Sequence, residues 1–392
     1  MSDYQTHVFT CTYTADVSGV CSAMYELGGM TILHDPSGCN STYSTHDEPR
    51  WYEEKSLMFI SGLDEMTAVF GDDQVLIDDA VHAARDLHPA FITLCGGAMP
   101  HIIAFDYKGV ARLIERESGL PVIPVPTDGL KSYISGVGKA LTAWIKRFAN
   151  PEERGEGLSV NLLGVTPLDF SINGNVEAMR REFEEAGIPV NCCAAMGENF
   201  ESMSHIYMGS VNVVVSSAGR RPARYMERMA GIPRVEGIPM GRAMSRKLMD
   251  AIRHAYETHR NVILYKDNDE HDRWTVPEGQ ILIIGEEVFA QTLAAAINAL
   301  DSDKRFGLRA YALWPDVDEG FPERELIKAM GHAGIVIADP LYKVVLRGKD
   351  QAGFIPFPHE AYSGRIYRKD IPVFACSGFD PKTLLRNADR RA

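Results

Sequence analysis

Strand-like and helix-like patterns alternate along nearly the whole chain, and this alternation is the strongest constraint on its fold. "DQVLIDDAVHAARDL" sets Leu76, Ile77, Ala80, Val81, Ala84 and Leu87 at helical spacing. The β-rich run "AFITLC" follows, and then "YKGVARLIERESG" reads as a helix with Gly119 as its C-cap. "PVIPVP" is extended. A long helix then runs to about Phe148, where "NPEERGEG" reads as a linker. The pattern restarts with "LSVNLLGV", helix "NVEAMRREFEEAG", strand "IPVNCC", a helix near 199–208, strand "VNVVVSS" and helix "RRPARYMERMAG". A further helix covers about 242–259. A third round holds "QILIIG", "EVFAQTLAAAINAL", "RAYALW", "ERELIKAMGHAG" and "IVIAD". Strands that alternate with helices imply right-handed βαβ crossovers and mostly parallel sheets. We therefore read an α/β fold of three doubly wound, Rossmann-like units, at 1–152, 157–260 and 261–392. A length of 392 residues allows two or three domains.

The net charge of −13 argues against broad binding to nucleic acid or to an anionic membrane. Arg220, Arg221 and Arg224 remain a local basic patch that could seat an anion at a helix start; solvated helix charges fit equally well. The N-terminus has no signal-peptide pattern and no apolar run is long enough to span a membrane, so a cytoplasmic protein is expected. The seven cysteines are at 11, 21, 39, 95, 192, 193 and 376. An odd count in a reducing compartment points away from disulfides, toward packed thiols, nucleophiles or metal ligands.

In doubly wound sheets, ligands bind beyond the carboxyl ends of strands. "TILHDPSGCN" puts Cys39 there, "TLCGGAMP" does the same for Cys95, and Cys11 follows "HVFT" in the same way. A single thiol more often packs than ligates. Three at equivalent places favour a shared role, and thiolates on such loops hold iron–sulfur clusters. Gly38, Gly96 and Gly97 would let backbone approach a bulky cluster. The spacings are far too long for a zinc finger or ferredoxin run, so any site is assembled in three dimensions. Cys192 and Cys193 point to opposite sides of one strand and read as packed thiols. "SGVGKAL" lacks both the spacing of a phosphate loop and a Ser or Thr after Lys139, so nucleotide hydrolysis belongs elsewhere. His34 and His101 border the cysteine loops, as ligand-orienting groups or core histidines.

"HDPSGC" resembles the His-Gly-Pro-x-Gly-Cys signature of the nitrogenase component 1 family. That family also includes protochlorophyllide and chlorin reductases, a cofactor-assembly scaffold and an enzyme of nickel-tetrapyrrole biosynthesis. "CTYTADVSGV", "ISGLDEMTAVFGDDQVL", "PAFITLCGGAMPHIIAFDYKGV" and "VNVVVSSAGRRPARYMERMAGIPRVE" resemble further family segments in the right order, over nearly the whole chain. Asp35 departs from the family's glycine, and Gly97-Ala98-Met99 departs after the third cysteine.

The resemblance implies that Cys11, Cys39 and Cys95 hold a four-iron or eight-iron cluster bridging two subunits, with Cys21 a competing choice for Cys11. The family's second, catalytic cofactor takes one Cys and one His. Those positions match Ser216–Ser217 and His359 here, and a hydroxyl is a poor substitute for a soft thiolate. No nitrogenase-type molybdenum cofactor is therefore expected, nor dinitrogen as substrate, and His359, Ser216 and Arg220 become candidates for a substrate cavity. The implied protein is an oxidoreductase subunit, as a homodimer or paired with a homologous subunit. It would accept low-potential electrons from an ATP-hydrolysing iron–sulfur reductase protein in an oxygen-protected setting. The alternatives are a non-catalytic scaffold for metal-cluster assembly and a binding protein that keeps relict cysteines.

Overall fold

All named strands pair in parallel, in three sheets. The computed structural model describes residues 8–36, 38, 48–265, 276–300, 308–315, 322–346 and 353–386. The first sheet contains β1 (Met30–His34), β2 (Leu57–Ile60), β3 (Ile92–Gly96) and β4 (Val122–Pro124) in the order β2-β1-β3-β4. The middle sheet contains β5 (Val160–Leu163), β6 (Val190–Ala194), β7 (Val211–Val214), β8 (Arg234–Glu236) and β9 (Val262–Ile263), ordered β6-β5-β7-β8-β9. The third contains β10 (Ile281–Ile284), β11 (Ala310–Leu313), β12 (Ile335–Ala338) and β13 (Gly353–Pro356), ordered β11-β10-β12-β13. Each sheet runs outward in both directions from its first strand. This places switch points between β1 and β3, between β5 and β7, and between β10 and β12, where such sheets bind ligands.

The helical stripes do what their periodicity requires. The Gln74–Leu87 helix buries Leu76, Ile77, Ala80, Val81 and Ala84, while Leu87 is left exposed at its end. The Tyr107–Ser118 helix stops at Gly119, whose φ of 73° gives a left-handed cap. "SGVGKAL" lies inside the Tyr133–Phe148 helix, and Lys139 reaches Asp16 at 3.1 Å, so the segment is structural. Gly19 and Gly136 let this helix lie directly on the Asp16–Met24 helix: a Cβ on Gly136 would collide with the Asp16 carbonyl, and one on Gly19 with that of Tyr133.

Three features differ from the sequence reading. Val8–Thr10 of "HVFT" form a bend, because their N–H groups all donate to Glu323 Oε1 and none is free for a ladder. Cys11 therefore does not follow a strand of the first sheet. The helix near 199–208 splits into Phe200–Ser204 and a 3-10 turn at Ile206–Met208. β2, β8, β9 and β13 are two to four residues long, too short to show alternation.

Two large apolar clusters fill the seams. One joins the first sheet and the Tyr133–Phe148 helix to one face of the middle sheet, and contains Cys21, Cys95 and Cys192. The other joins the opposite face to the third sheet, and contains Cys193, Phe289 and Phe374. Cys192 and Cys193 are thus packed on opposite faces, as strand geometry demands. No helix among the described residues is long and apolar enough to cross a membrane.

Candidate functional site

The loops that leave β5, β7, β10 and β13 converge on one buried polar centre. Beyond β5, Thr166 caps the short Pro167–Phe170 helix, accepting the Asp169 N–H at 3.2 Å and donating its hydroxyl to Asp169 Oδ2 at 2.9 Å. Beyond β7, Ser216 is fully buried; its Oγ donates to the same Oδ2 at 2.6 Å and accepts from the Ala218 N–H. Tyr13, from the segment before the first helix, donates to Asp169 Oδ1 at 2.6 Å. Burial raises the Asp169 pKa from the ordinary carboxylate value, and the three hydroxyl donors oppose that rise.

Beyond β10, Glu286 accepts from the N–H groups of Ser217 and Phe289, each at 2.9 Å, and from the Ser217 hydroxyl. Burial, then the nearby Asp169 charge, raises its pKa to about 7. Beyond β13, His359 caps the Glu360–Tyr367 helix: its Nδ1 accepts from the Ala361 N–H at 3.3 Å, and its Nε2 lies 3.5 Å from the Tyr13 hydroxyl. Burial lowers the His359 pKa to about 4, so the ring is neutral and, with Nδ1 accepting, carries its proton on Nε2. Ser171, at φ 56° and ψ −174°, sits in a region that glycine normally occupies, and its Oγ donates to Glu360 Oε2 at 2.6 Å. Stored strain of this kind persists only where surrounding contacts enforce it.

Ser216 and His359 therefore meet through Asp169 and Tyr13. Arg220 stands beside the centre but is bound elsewhere: to Glu236, and to Glu287 at 2.5 Å, with the Tyr265 hydroxyl at 3.2 Å. Arg221 and Arg224 are exposed. Asp169, Glu286 and Tyr13 were not singled out from sequence. The signal for the first two is position alone, since each is an acid in the segment between an apolar strand and the next long helix, Glu286 two residues after β10 and Asp169 in the short helix beyond β5.

Cys95 is fully buried on β3; its thiol approaches the Ile32 carbonyl at 3.7 Å, and the neighbouring Cys21 thiol of the Asp16–Met24 helix, together with burial, pushes its pKa well up. Cys11 packs instead against the core of the third sheet. Its carbonyl accepts from the Tyr342 hydroxyl at 3.1 Å, and burial followed by the Asp339 charge raises its thiol pKa to about 12. Cys39 lies outside the described residues; β1, which leads to it, ends at His34, paired with Gly96 next to Cys95. The facing thiols of Cys21 and Cys95 are soft donors of the type an iron–sulfur cluster takes, but two are an incomplete set. Among the described residues no group of three or more His, Cys, Asp or Glu side chains is arranged to hold a metal ion. His34 is a core histidine, bonded to Ser61 Oγ at 2.9 Å and packed on Phe105, whereas His101 is exposed.

The sequence model of the family described as nitrogenase component 1 type oxidoreductase matches residues 19–336. A light-independent protochlorophyllide reductase polypeptide from Pelodictyon phaeoclathratiforme is 26% identical over 222 residues, covering 55% of this chain and 40% of that protein. The nitrogenase iron-molybdenum cofactor biosynthesis protein NifE of Methanococcus maripaludis is 24% identical over 218 residues, covering 52% and 43%. The chain thus spans less than half the length of these relatives. The solved structure titled nitrogenase Cp1 at pH 5 superposes over 100% of this chain and 90% of that one, with a TM-score of 0.66 at 15% identity, a likeness of fold.

Proposed function

The chain belongs to the nitrogenase component 1 type oxidoreductases, and from that premise we propose that it is an electron-accepting, substrate-reducing subunit of a two-component reductase. The observation that carries this reading is the buried centre of Asp169, Glu286, Tyr13, Ser216 and His359, where the loops leaving β5, β7, β10 and β13 converge. It combines acids, a neutral imidazole and exclusion of water, which suits proton-coupled reduction of a small molecule. The partner would be an ATP-hydrolysing iron–sulfur reductase protein, and the setting the cytoplasm.

Cys39 and Cys95, with Cys11 or Cys21, are the proposed ligands of a four-iron or eight-iron cluster, which when bound would supply one-electron transfer. The chain's own residues bury the thiols of Cys21 and Cys95, hold Tyr13 on Asp169 and keep His359 neutral. Ser216 is engaged with Asp169, which speaks against a molybdenum cofactor at that position and against dinitrogen as substrate. A homodimer is supported by exposed Met66, Val69 and Phe70 beyond β2 and Met99 and Ile102 beyond β3, all past the carboxyl ends of first-sheet strands, the end of β3 at which Cys95 lies. Sequence positions near 152–157 and 260–261 are the proposed boundaries of the three units.

The test is iron and acid-labile sulfide per chain after anaerobic purification, with electron paramagnetic resonance after dithionite reduction. Iron that disappears in Cys39→Ala and Cys95→Ala supports the reading. Full iron in both variants overturns the ligand assignment. The likeness to the biosynthesis protein favours the scaffold as second reading. A scaffold would give up its cluster to an acceptor protein and show no turnover with a reductase.

A further inference from the structure

Two carboxyl groups enter the polar centre from opposite sides of the seam between the middle and third sheets, and no cation among the described residues is bonded to either. Asp169 accepts from the hydroxyls of Tyr13, Thr166 and Ser216 and donates its own N–H to Thr166. Glu286 accepts from Ser217 and from the Phe289 N–H. Arg220, the nearby guanidinium, is held by Glu236 and Glu287. Hydrogen bonds spread a buried negative charge but do not cancel it, and two such charges in one low-dielectric pocket repel strongly.

We infer that Asp169 and Glu286 hold one proton between them at neutral pH, and that this proton is the acid available to a substrate reduced in the centre. The donation rests on the redox reading proposed above; the shared proton does not.

The other titratable groups facing the pair leave it uncompensated. Tyr13 is a phenol held neutral by burial, and Tyr362 packs edge-on against it. His359 is neutral. Asp339 is occupied by Ser363 and the His359 N–H, and Glu360 by Arg368. Glu286 titrates near pH 7, the range in which a general acid is most effective. On donation the carboxylic O–H bond breaks and its electron pair stays on the carboxylate. The proton goes to the substrate atom that has received electrons from the low-potential reductase partner, and a proton taken up from bulk solvent restores the pair.

Infrared difference spectroscopy on the full chain, with no partner and no reductant, tests the proton. The expected result is a carbonyl stretch of a buried carboxylic acid that shifts in D2O and titrates away around pH 7. Glu286→Gln and Asp169→Asn, near-isosteric and checked for folding by near-ultraviolet circular dichroism, should each remove that band at neutral pH. No acid band in the wild-type chain at mildly acidic pH, or a band untouched in both variants, overturns the pairing. With reductase and substrate present, Glu286→Gln should lower turnover by about 100-fold and displace its pH profile. An intact band without any turnover in the wild type would refute the redox reading and leave the proton pair standing. Normal turnover and an unshifted profile in Glu286→Gln would overturn the donor role.

Discussion

The Ser216 hydroxyl donates to Asp169 Oδ2 at 2.6 Å, bridging the turns that follow β7 and β5 on either side of the middle sheet's switch point. A position that would carry a metal-binding thiolate in nitrogenase, by the sequence resemblance, here serves a buried carboxyl. Removing one of three donors leaves that carboxyl less satisfied, which costs more than an average hydrogen bond. Ser216→Ala should therefore destabilise the chain by about 1–3 kcal/mol in urea unfolding at neutral pH. A loss below the error of that measurement would mean that solvent already satisfies Asp169.

The pH dependence of stability has two opposed parts. His34 and His359 are lowered by burial from 6.5 to about 4, so the unfolded chain binds more protons and stability is lost as pH falls from about 6.5 toward 4. Glu286 is raised from 4.5 to about 7, so the folded chain binds more protons and stability is lost as pH rises from about 4.5 to 7. His34→Gln, which can keep a bond to Ser61, should flatten the acid side by about one proton. Glu286→Gln should shrink the difference in melting temperature between mildly acidic and mildly alkaline solution. That difference reflects on the order of 2–3 kcal/mol from this carboxyl. An unchanged profile in Glu286→Gln would show that the group is ionised throughout.

The fold was legible wherever apolar periodicity extended over a full helix or strand. Leu76 to Ala84 and "ILII" are each sufficient evidence for their elements. β13 was not legible, because its Gly353 and Pro356 are poor strand residues and its pairing with β12 supplies the order. The bend at Val8–Thr10 was not legible either. Its residues suit a strand, and the carboxylate that takes their N–H groups lies 313–315 positions away. Ser216 and His359 were singled out by resemblance, and the structure brings both into one buried centre through Asp169 and Tyr13. Tyr13, Asp169 and Glu286 were missed because an acid or a phenol in a turn is ordinary until burial and partners are known.

Gly19 and Gly136 give a packing test in the first core. Each takes up a backbone carbonyl of the facing helix where a Cβ would stand, Gly136 against Asp16 and Gly19 against Tyr133. Neither contact can be relieved by turning a side chain. Alanine improves helix propensity by about 1 kcal/mol at such sites, but forcing two helices apart costs more. Gly136→Ala should lower stability by about 2 kcal/mol or more and loosen the packing around Cys21 and Cys95. The readout is the urea midpoint together with the rate at which those two thiols react with Ellman's reagent. A variant as stable as wild type would show that the helices can separate freely.

Glu323 fastens the segment that carries Cys11 and Tyr13. Its Oε1 accepts from the N–H groups of Val8, Phe9 and Thr10 at 2.7–2.8 Å and from the Thr10 hydroxyl at 3.1 Å. These backbone donors hold its pKa below the ordinary carboxylate value despite burial. The stabilisation is therefore present above that ordinary value and is lost as pH falls through the lowered one. Gln at this position keeps a carbonyl oxygen but loses the charge that gathers three N–H groups on one atom. Glu323→Gln should speed amide exchange at Val8–Thr10 by about tenfold, since the loss of a charge-assisted hydrogen bond is worth about 1.5 kcal/mol or more. The sheets should melt almost unchanged, because local opening of an end segment leaves their cores intact. Acidification should reproduce the variant's behaviour in the wild-type chain, at a pH where the carboxylate takes up its proton. If exchange at those three amides stays slow in the variant, contacts beyond Thr10 hold the segment, chiefly the Tyr342 bond to the Cys11 carbonyl and the Tyr13 bond to Asp169.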